Sequence, residues 1–348
     1  MRTFSRAGIR TLMERYDIRP VHSLGQNFLA DGNILRKITE LLELDRDDTV
    51  CEVGPGLGAL TQELAGRAGR VVAVEKDARM VPVLEEVLGS ALQCDRQSAY
   101  GMAERTGAAE RAEVAERAEV MERAEVMERA EVAERAEVME RAEVVERAGA
   151  VEHADAVERT GAVTIVVADF LDYDLSALPQ GYKLTGNLPY YITTPAMMRA
   201  LESENVPSLM AFMMQREVAE RICAPPGGKE YGAVSVAVQY RCLTEYAMDV
   251  SREVFVPKPH VDSAVIVLKP AHGHRGTPKD ECVFFASVKA GFGQRRKMLR
   301  NALSALVPDS DALDAAFGRA GVKGTARAET LSVEEFIALA DAITDTIY

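Results

Sequence analysis

Glu52, inside the apolar run TVCEV, and Gly54, Gly56 and Gly58, just after it, occupy alternate positions, and Glu75 follows Gly54 by 21 residues. Glycines at a strand-to-helix turn let the backbone approach a ligand closely. An acidic side chain about 20 positions on, at the end of the next strand, can accept hydrogen bonds from ribose hydroxyls. Together these residues could hold a nucleoside-containing ligand. Dinucleotide-binding proteins share the layout, but E-x-G-x-G-x-G with Pro55 inside the loop departs from G-x-G-x-x-G. A glycine turn in an ordinary α/β domain is the plainer alternative.

The loop resembles the S-adenosylmethionine loop of class I methyltransferases. A second group sharpens that resemblance: Asn187-Leu188-Pro189-Tyr190 follows the strand-like Tyr182–Gly186. It resembles the D/N/S-P-P-Y/F motif of amino-methyltransferases, in an N-L-P-Y form. The residue types suit the chemistry, because an exocyclic adenine amine is a poor nucleophile with its lone pair delocalised into the ring. The Asn187 side-chain oxygen and a backbone carbonyl near Leu188 could accept from its N–H bonds and favour a tetrahedral nitrogen. Pro189 would stiffen that turn, and Tyr190 would stack on the extracted base.

The elements that must carry these groups alternate. TVCEV, RVVAV (Arg70–Val74), VTIVVAD ending at Asp169, and Tyr182–Gly186 read as strands; Ala59–Ala68 and Val81–Leu88 read as helices. The pattern predicts an α/β fold, a doubly wound parallel sheet of class I (Rossmann-like) methyltransferase type, with ligands outside the strands' carboxyl ends. Pro270–Pro278 (PAHGHRGTP) reads as a linker. VFFASVKAGF, KMLRNALSALV, DALDAAFGRAG and SVEEFIALADAI then show helical periodicity. A methyltransferase domain over 1–270 and a small all-α C-terminal domain over 276–348 are expected.

The chain has 348 residues, 47% of them apolar, so a buried core is assured; 54 acidic and 41 basic side chains give a charge of −13. Taken as an average, that acidity argues against a nucleic-acid partner. The average misleads. Glu104–Val163 is ten consecutive hexads of the ERAEVx kind, inside an insert spanning about 91–163. Its 16 Glu, one Asp and nine Arg carry −8, leaving −5 for the other 288 residues. The hexads favour helix and pair Glu with Arg four residues on. A six-residue step nevertheless turns a helix by 240°, so Val never lines one face. The insert reads as a dispensable, partly helical expansion, with a partner-binding arm as the alternative. Elsewhere the charge is locally basic: Lys289, Arg295, Arg296, Lys297 and Arg300 lie between Val288 and Arg300 with no acid among them. Five arginines among the first 20 residues outnumber Glu14 and Asp17. Such patches bind phosphates, although a charge run is more often only a solvated face.

No apolar run reaches the roughly 18 residues of a membrane helix. The N-terminal stretch has no continuous apolar region, so no secretory signal is expected. Five cysteines without CxxC spacing suggest reduced thiols. His272 and His274 are isolated in the linker, and no metal site is expected.

H-S-L-G-Q-N-F-L (His22–Leu29), E-V-G-P-G-L-G, V-E-K-D, G-N-L-P-Y-Y, F-V-P-K-P-H-V-D-S-A-V and Q-R-R-K-M-L-R-N-A-L occur in this order. From about Tyr16 to the C-terminus, apart from the hexads, the chain is similar to the ribosomal RNA adenine dimethyltransferase family, above all its bacterial 16S small-subunit branch. The resemblance implies that Asn27 and Leu29 close over S-adenosylmethionine. It implies that Gly54 contacts the methionine portion, Glu75 the ribose, Asp169 the adenine, and Asn187 both cofactor and target. Phe255, by residue type a core position, would be the second stacking face for the base beside Tyr190. Arg295, Arg296, Lys297 and Arg300 would contact RNA. The implied activity is dimethylation of N6 on two adjacent adenosines in the 3′-terminal hairpin of 16S rRNA, within small-subunit particles, by a cytoplasmic monomer. A large-subunit (23S) enzyme of the macrolide-resistance type shares N-L-P-Y, but Q-R-R-K-M-L-R-N-A-L is not expected of it. A ribosome-assembly factor acting mainly by binding is the third reading. The insert departs from the family and falls just before Asp169, where it could disturb the geometry.

Overall fold

The computed structural model describes residues 5–20, 26–92, 161–188, 192–294 and 297–347. The hexads through residue 160 lie outside these, as do Pro189, Tyr190, Arg295 and Arg296. The described residues form two compact units, one comprising those up to 92, 161–219 and 245–269, the other 220–244 and 270–347. The helical unit therefore takes in Glu220–Thr244 from ahead of the linker at residue 270.

The strands are β1 (Phe28–Leu29), β2 (Thr49–Val53), β3 (Arg70–Glu75), β4 (Ala162–Val167), β5 (Lys183–Asn187), β6 (Leu209–Gln215), β7 (Cys242–Val250), β8 (Phe255–Val256) and β9 (Ser263–Pro270). Seven of them make one sheet in the order β4-β3-β2-β5-β6-β9-β7. β4, β3, β2, β5 and β6 run parallel, and β9 returns antiparallel to β6. Helices α1 (Arg6–Arg15), α2 (Gly32–Leu41), α3 (Ala59–Ala65), α4 (Val81–Leu88) and α5 (Thr193–Glu202) accompany them. The central strands are apolar almost throughout because both faces of a parallel sheet are covered. Val50, Cys51, Val71, Ala73 and Leu184 are all fully buried. The chain reverses direction across the sheet between β2 and β5, so the carboxyl ends of β2, β3, β4 and β5 share one rim where a crevice opens.

The boundary of the repeat is not where its sequence pattern ends. Gly161, Ala162 and Val163 complete the last hexad, yet Ala162 and Val163 belong to β4, and Val163 is fully buried opposite Val71. The Gly161 amide donates to the Ala65 carbonyl at 2.7 Å. A Cβ at Gly161 would lie 2.2 Å from the Ala68 carbonyl oxygen, so only glycine fits there. Leu92 bridges to Val163, which places the last described residue before the gap beside the first strand after it.

α6 (Arg216–Cys223) begins in the first unit and ends in the second, where α7 (Ala233–Arg241), α8 (Glu281–Gly293), α9 (Leu299–Leu303), α10 (Ser310–Ala320) and α11 (Val333–Ile347) follow. Tyr231, Phe284, Phe336, Leu339 and Ile343 build its core. The helix expected over KMLRNALSALV is only the five residues of α9. Its first amides go outward, Leu299 N–H to Ala326 O and Arg300 N–H to Gly324 O, and Pro308 prevents its continuation. Among the described residues no helix is long and apolar enough to cross a membrane.

Candidate active site

The glycine loop leaves β2 in a left-handed conformation, with φ of +66° at Gly54, +55° at Gly56 and +79° at Gly58. Gly54 N–H donates to Val74 O and Gly58 N–H to Pro55 O, each at 2.9 Å. A Cβ on Gly56 would lie 3.1 Å from the Phe28 ring, so the absent side chain makes room for an aromatic lid as well as for the turn. At the end of β3, Glu75 is only 7% exposed. Its Oε2 accepts from Gly56 N–H at 3.1 Å and its Oε1 from Asp77 N–H at 2.8 Å. Burial raises the Glu75 pKa above the usual carboxylate range, and the two backbone donors pull against that rise. Each oxygen keeps a further lone pair with which to receive a hydroxyl.

Across the insert the rim closes without distortion. Ala168 N–H donates to Glu75 O at 2.9 Å, extending the β3–β4 ladder. Asp169 accepts from Leu171 N–H at 2.9 Å and pairs with Lys76 at 2.7 Å. The expected disturbance near Asp169 is thus absent from the described residues, because register is set by Ala162–Val167 pairing with β3 along its full length.

The arm enters as an ordered strap. Phe28 and Leu29 pair antiparallel with Val256 and Phe255, and Ala30 N–H donates to Val254 O at 2.7 Å. Just before this ribbon, Gln26 Nε2 donates to Asp77 Oδ2 at 2.9 Å. Asn187, the last residue of β5, donates Nδ2 to the Asn27 carbonyl at 3.0 Å, and Leu188 N–H donates to Met213 O at 3.0 Å. The amide's donor end is therefore engaged by the protein, which leaves its oxygen as the end available to a substrate N–H. Behind Asn187, Gly186 is forced: a Cβ there would lie 2.6 Å from Val53 O.

Asn27, Leu29, Gly54, Glu75, Asp169 and Asn187 all line one cavity of about 110 Å³. Glu52 also lines it, 2% exposed, with Oε2 buried and without a hydrogen-bond partner among the described residues. Burial, reinforced by nearby Glu75, pushes the Glu52 carboxyl up to about 8. A cavity with an orphaned carboxyl oxygen, a second buried carboxylate and a glycine-walled entrance fits a ligand that has amino, hydroxyl and flat apolar parts.

Phe255 is not part of the lining. It is 3% exposed and packs into the core with Phe28 and Leu29, joining the site through its backbone pairing with Leu29. Leu188 is fully buried. In the second unit Lys297 is exposed, whereas Arg300 is already engaged: Nε and Nη2 grip the Asp314 carboxylate at 2.6 and 2.8 Å, and Nη2 reaches Ser310 Oγ at 2.7 Å. Sequence reasoning had no role for Gln26, Lys76, Asp77 or Gly186, although each stands inside a quoted motif.

Five parallel strands in this order, a glycine loop leaving β2, an acid ending β3 and an asparagine ending β5 define a class I methyltransferase. The chain belongs to the ribosomal RNA adenine dimethylase family, whose pattern it matches over residues 20–102 and 131–345. It is 36% identical to Ribosomal RNA small subunit methyltransferase A of Lactiplantibacillus plantarum, over 97% of this chain and 94% of that one. It is 37% identical to the protein of the same name from Pelotomaculum thermopropionicum, over 98% and 97%. Among solved structures, a dimethyladenosine transferase from Plasmodium falciparum shares the fold, with a TM-score of 0.61 and 18% identity over 89% of this chain and 95% of that one. So does the 23S rRNA methyltransferase ErmE, with a TM-score of 0.58 and 22% identity over 91% of this chain and all of the other. The protein is an rRNA adenine methyltransferase.

Proposed function

We propose that the enzyme dimethylates N6 of two adjacent adenosines near the 3′ end of small-subunit rRNA, using S-adenosylmethionine. The observation that carries this reading is the Asn187 amide, its Nδ2 held by the Asn27 carbonyl, on the wall of the cavity that the glycine loop also lines; its oxygen is then the end to accept from an incoming amine. Bound in that cavity, S-adenosylmethionine supplies an electrophilic methyl group.

The chain's own part is to bind and orient. Glu75 would offer lone pairs to ribose hydroxyls, and Asp169, steadied by Lys76, would contact the adenine. Asn187 Oδ1 and the turn beginning at Leu188 accept from the target amine and turn its lone pair outward. Orientation and preorganised hydrogen bonding supply the rate enhancement, and no strong general base is required because the methylated amine is acidic enough to lose its proton to water. Tyr190 stacks on the flipped base. Phe255 would be the second face of that stack. Lys297 with its neighbours Arg295 and Arg296, and Arg300 on exchanging Asp314 for phosphate, hold the RNA backbone against the helical unit. The enzyme works in the cytoplasm, on small-subunit particles.

The test is incubation with labelled S-adenosylmethionine and either undermodified small-subunit particles or large-subunit RNA, followed by mass spectrometry of nucleosides. Dimethyladenosine in the small-subunit sample alone supports the reading. Product in large-subunit RNA alone, or in neither, refutes it.

A further inference from the structure

Asp77 sets a puzzle. It is 9% exposed and lies two residues after Glu75, so two carboxylates are buried side by side, each opposing the other's charge. Such a pair is costly unless donors surround it. The donors are present: Arg79 contributes its backbone N–H at 3.1 Å, Nε at 2.9 Å and Nη2 at 2.6 Å, and Gln26 contributes Nε2 at 2.9 Å. The Arg79 contacts are local and form whatever the arm does. The Gln26 contact spans 51 residues and is of a different kind.

Gln26 is the first residue of a short stretch in which every position is committed. Asn27 O receives the Asn187 amide, the Phe28 ring covers Gly56, and Leu29 and Ala30 pair with the strand around Phe255. The Asp77 backbone N–H meanwhile holds Glu75 Oε1. One residue thus touches the ribose-binding carboxylate with its backbone and the arm with its side chain.

Resting on the methyltransferase reading, we infer that Asp77 is a positioning residue: through Gln26 it latches the arm, and the latched arm aims the Asn187 amide. Without the latch the Asn27 carbonyl can swing, and the Asn187 oxygen loses its direction while Gly54 and Glu75 stay in place. Asn27 and Leu29 of the arm also line the cavity, but Gly54, Glu75 and Asp169 keep their places, so the latch should act on turnover more than on cofactor binding.

The experiment uses the full chain and two readouts. Hydrogen exchange, without cofactor or RNA, reports protection of the Ala30 amide and its neighbours. Steady-state methylation of small-subunit particles gives kcat and the KM for S-adenosylmethionine. Losing the hydrogen bond to the charged Asp77 predicts at least about tenfold faster arm exchange and an about tenfold lower kcat in Gln26→Ala, with KM changed less than about threefold. Asp77→Asn keeps an oxygen for Gln26 and should retain arm protection. Arg79→Ala should retain it too, whereas Asp77→Ala should lose it. If Gln26→Ala keeps wild-type arm protection or wild-type kcat, or raises KM as much as it lowers kcat, the inference is overturned. Because exchange is read without substrate, failure of the wild-type enzyme to make dimethyladenosine would count against the proposed function and leave the exchange result to judge the latch.

Discussion

Asn187 Nδ2 donates to the backbone oxygen of Asn27 at 3.0 Å, joining the end of β5 to the N-terminal arm across 160 residues of chain. The bond fixes which end of the amide a substrate meets. Asn187→Ala should lower single-turnover methylation about 10²- to 10³-fold, as the loss of a preorganised acceptor does. Asn187→Asp keeps oxygen acceptors but sets a carboxylate against the Asn27 carbonyl, so it should be similarly impaired. An aspartate variant with wild-type rate would refute this account.

Gly186 and Gly318 should respond oppositely to alanine. At Gly186 the new Cβ collides with Val53 O on a central strand, and a loss of about 3 kcal/mol or more is expected from overpacking without room to relax. Gly318 is exposed within α10 and its Cβ would meet nothing within 4 Å. There alanine should stabilise by about 0.5–1 kcal/mol through helix propensity. Denaturant midpoints of the two variants check both signs.

Glu52 makes stability fall as pH rises. Its folded pKa of about 8 lies above the ordinary carboxylate range, so the fold binds a proton that the unfolded chain releases. The contribution is fully present below the ordinary carboxylate pKa and is lost as pH climbs to about 8. Glu52→Gln should flatten that slope, sparing on the order of 2 kcal/mol of loss between pH 5 and 8. Melting curves that fall equally in both proteins would contradict the assignment.

Arg300 is held by Asp314, so Asp314→Asn should free its guanidinium for phosphate and tighten RNA binding, with a steeper dependence on salt. Lys297→Ala should weaken binding uniformly and reduce the logarithmic salt slope by about one. Titrations at several salt concentrations distinguish these outcomes.

The hexads can be removed only up to residue 160. Leu92 and Val163 are neighbours in the sheet, so the residues left between 92 and 161 close the gap at little entropic expense. Deleting 104–160 should leave methylation within about threefold of wild type. Extending the deletion through Val163 removes a fully buried residue of β4 and should abolish soluble expression.

The sequence by itself determined the strands β2, β3, β4 and β5, the helices α3 and α4, the ligand loop and some of the residues around the cavity. Continuous apolar runs, glycine spacing and N-L-P-Y are local signals, written in consecutive residues. Six residues that the family resemblance implies for the cofactor line one cavity. Tertiary structure alone decided the rest. That Gln26 meets Asp77, that Asn187 is held by Asn27, and that Arg300 is occupied by Asp314 depend on contacts between different elements of the fold, which no local pattern encodes. Phe255 lies in the core, outside the cavity lining, because the β1–β8 ribbon packs it there. The repeat's last three residues look like one more hexad, yet their place in β4 follows from pairing with β3 and from the close approach at Gly161. Periodicity reports composition along the chain; burial and register arise only when the partner strand is in place.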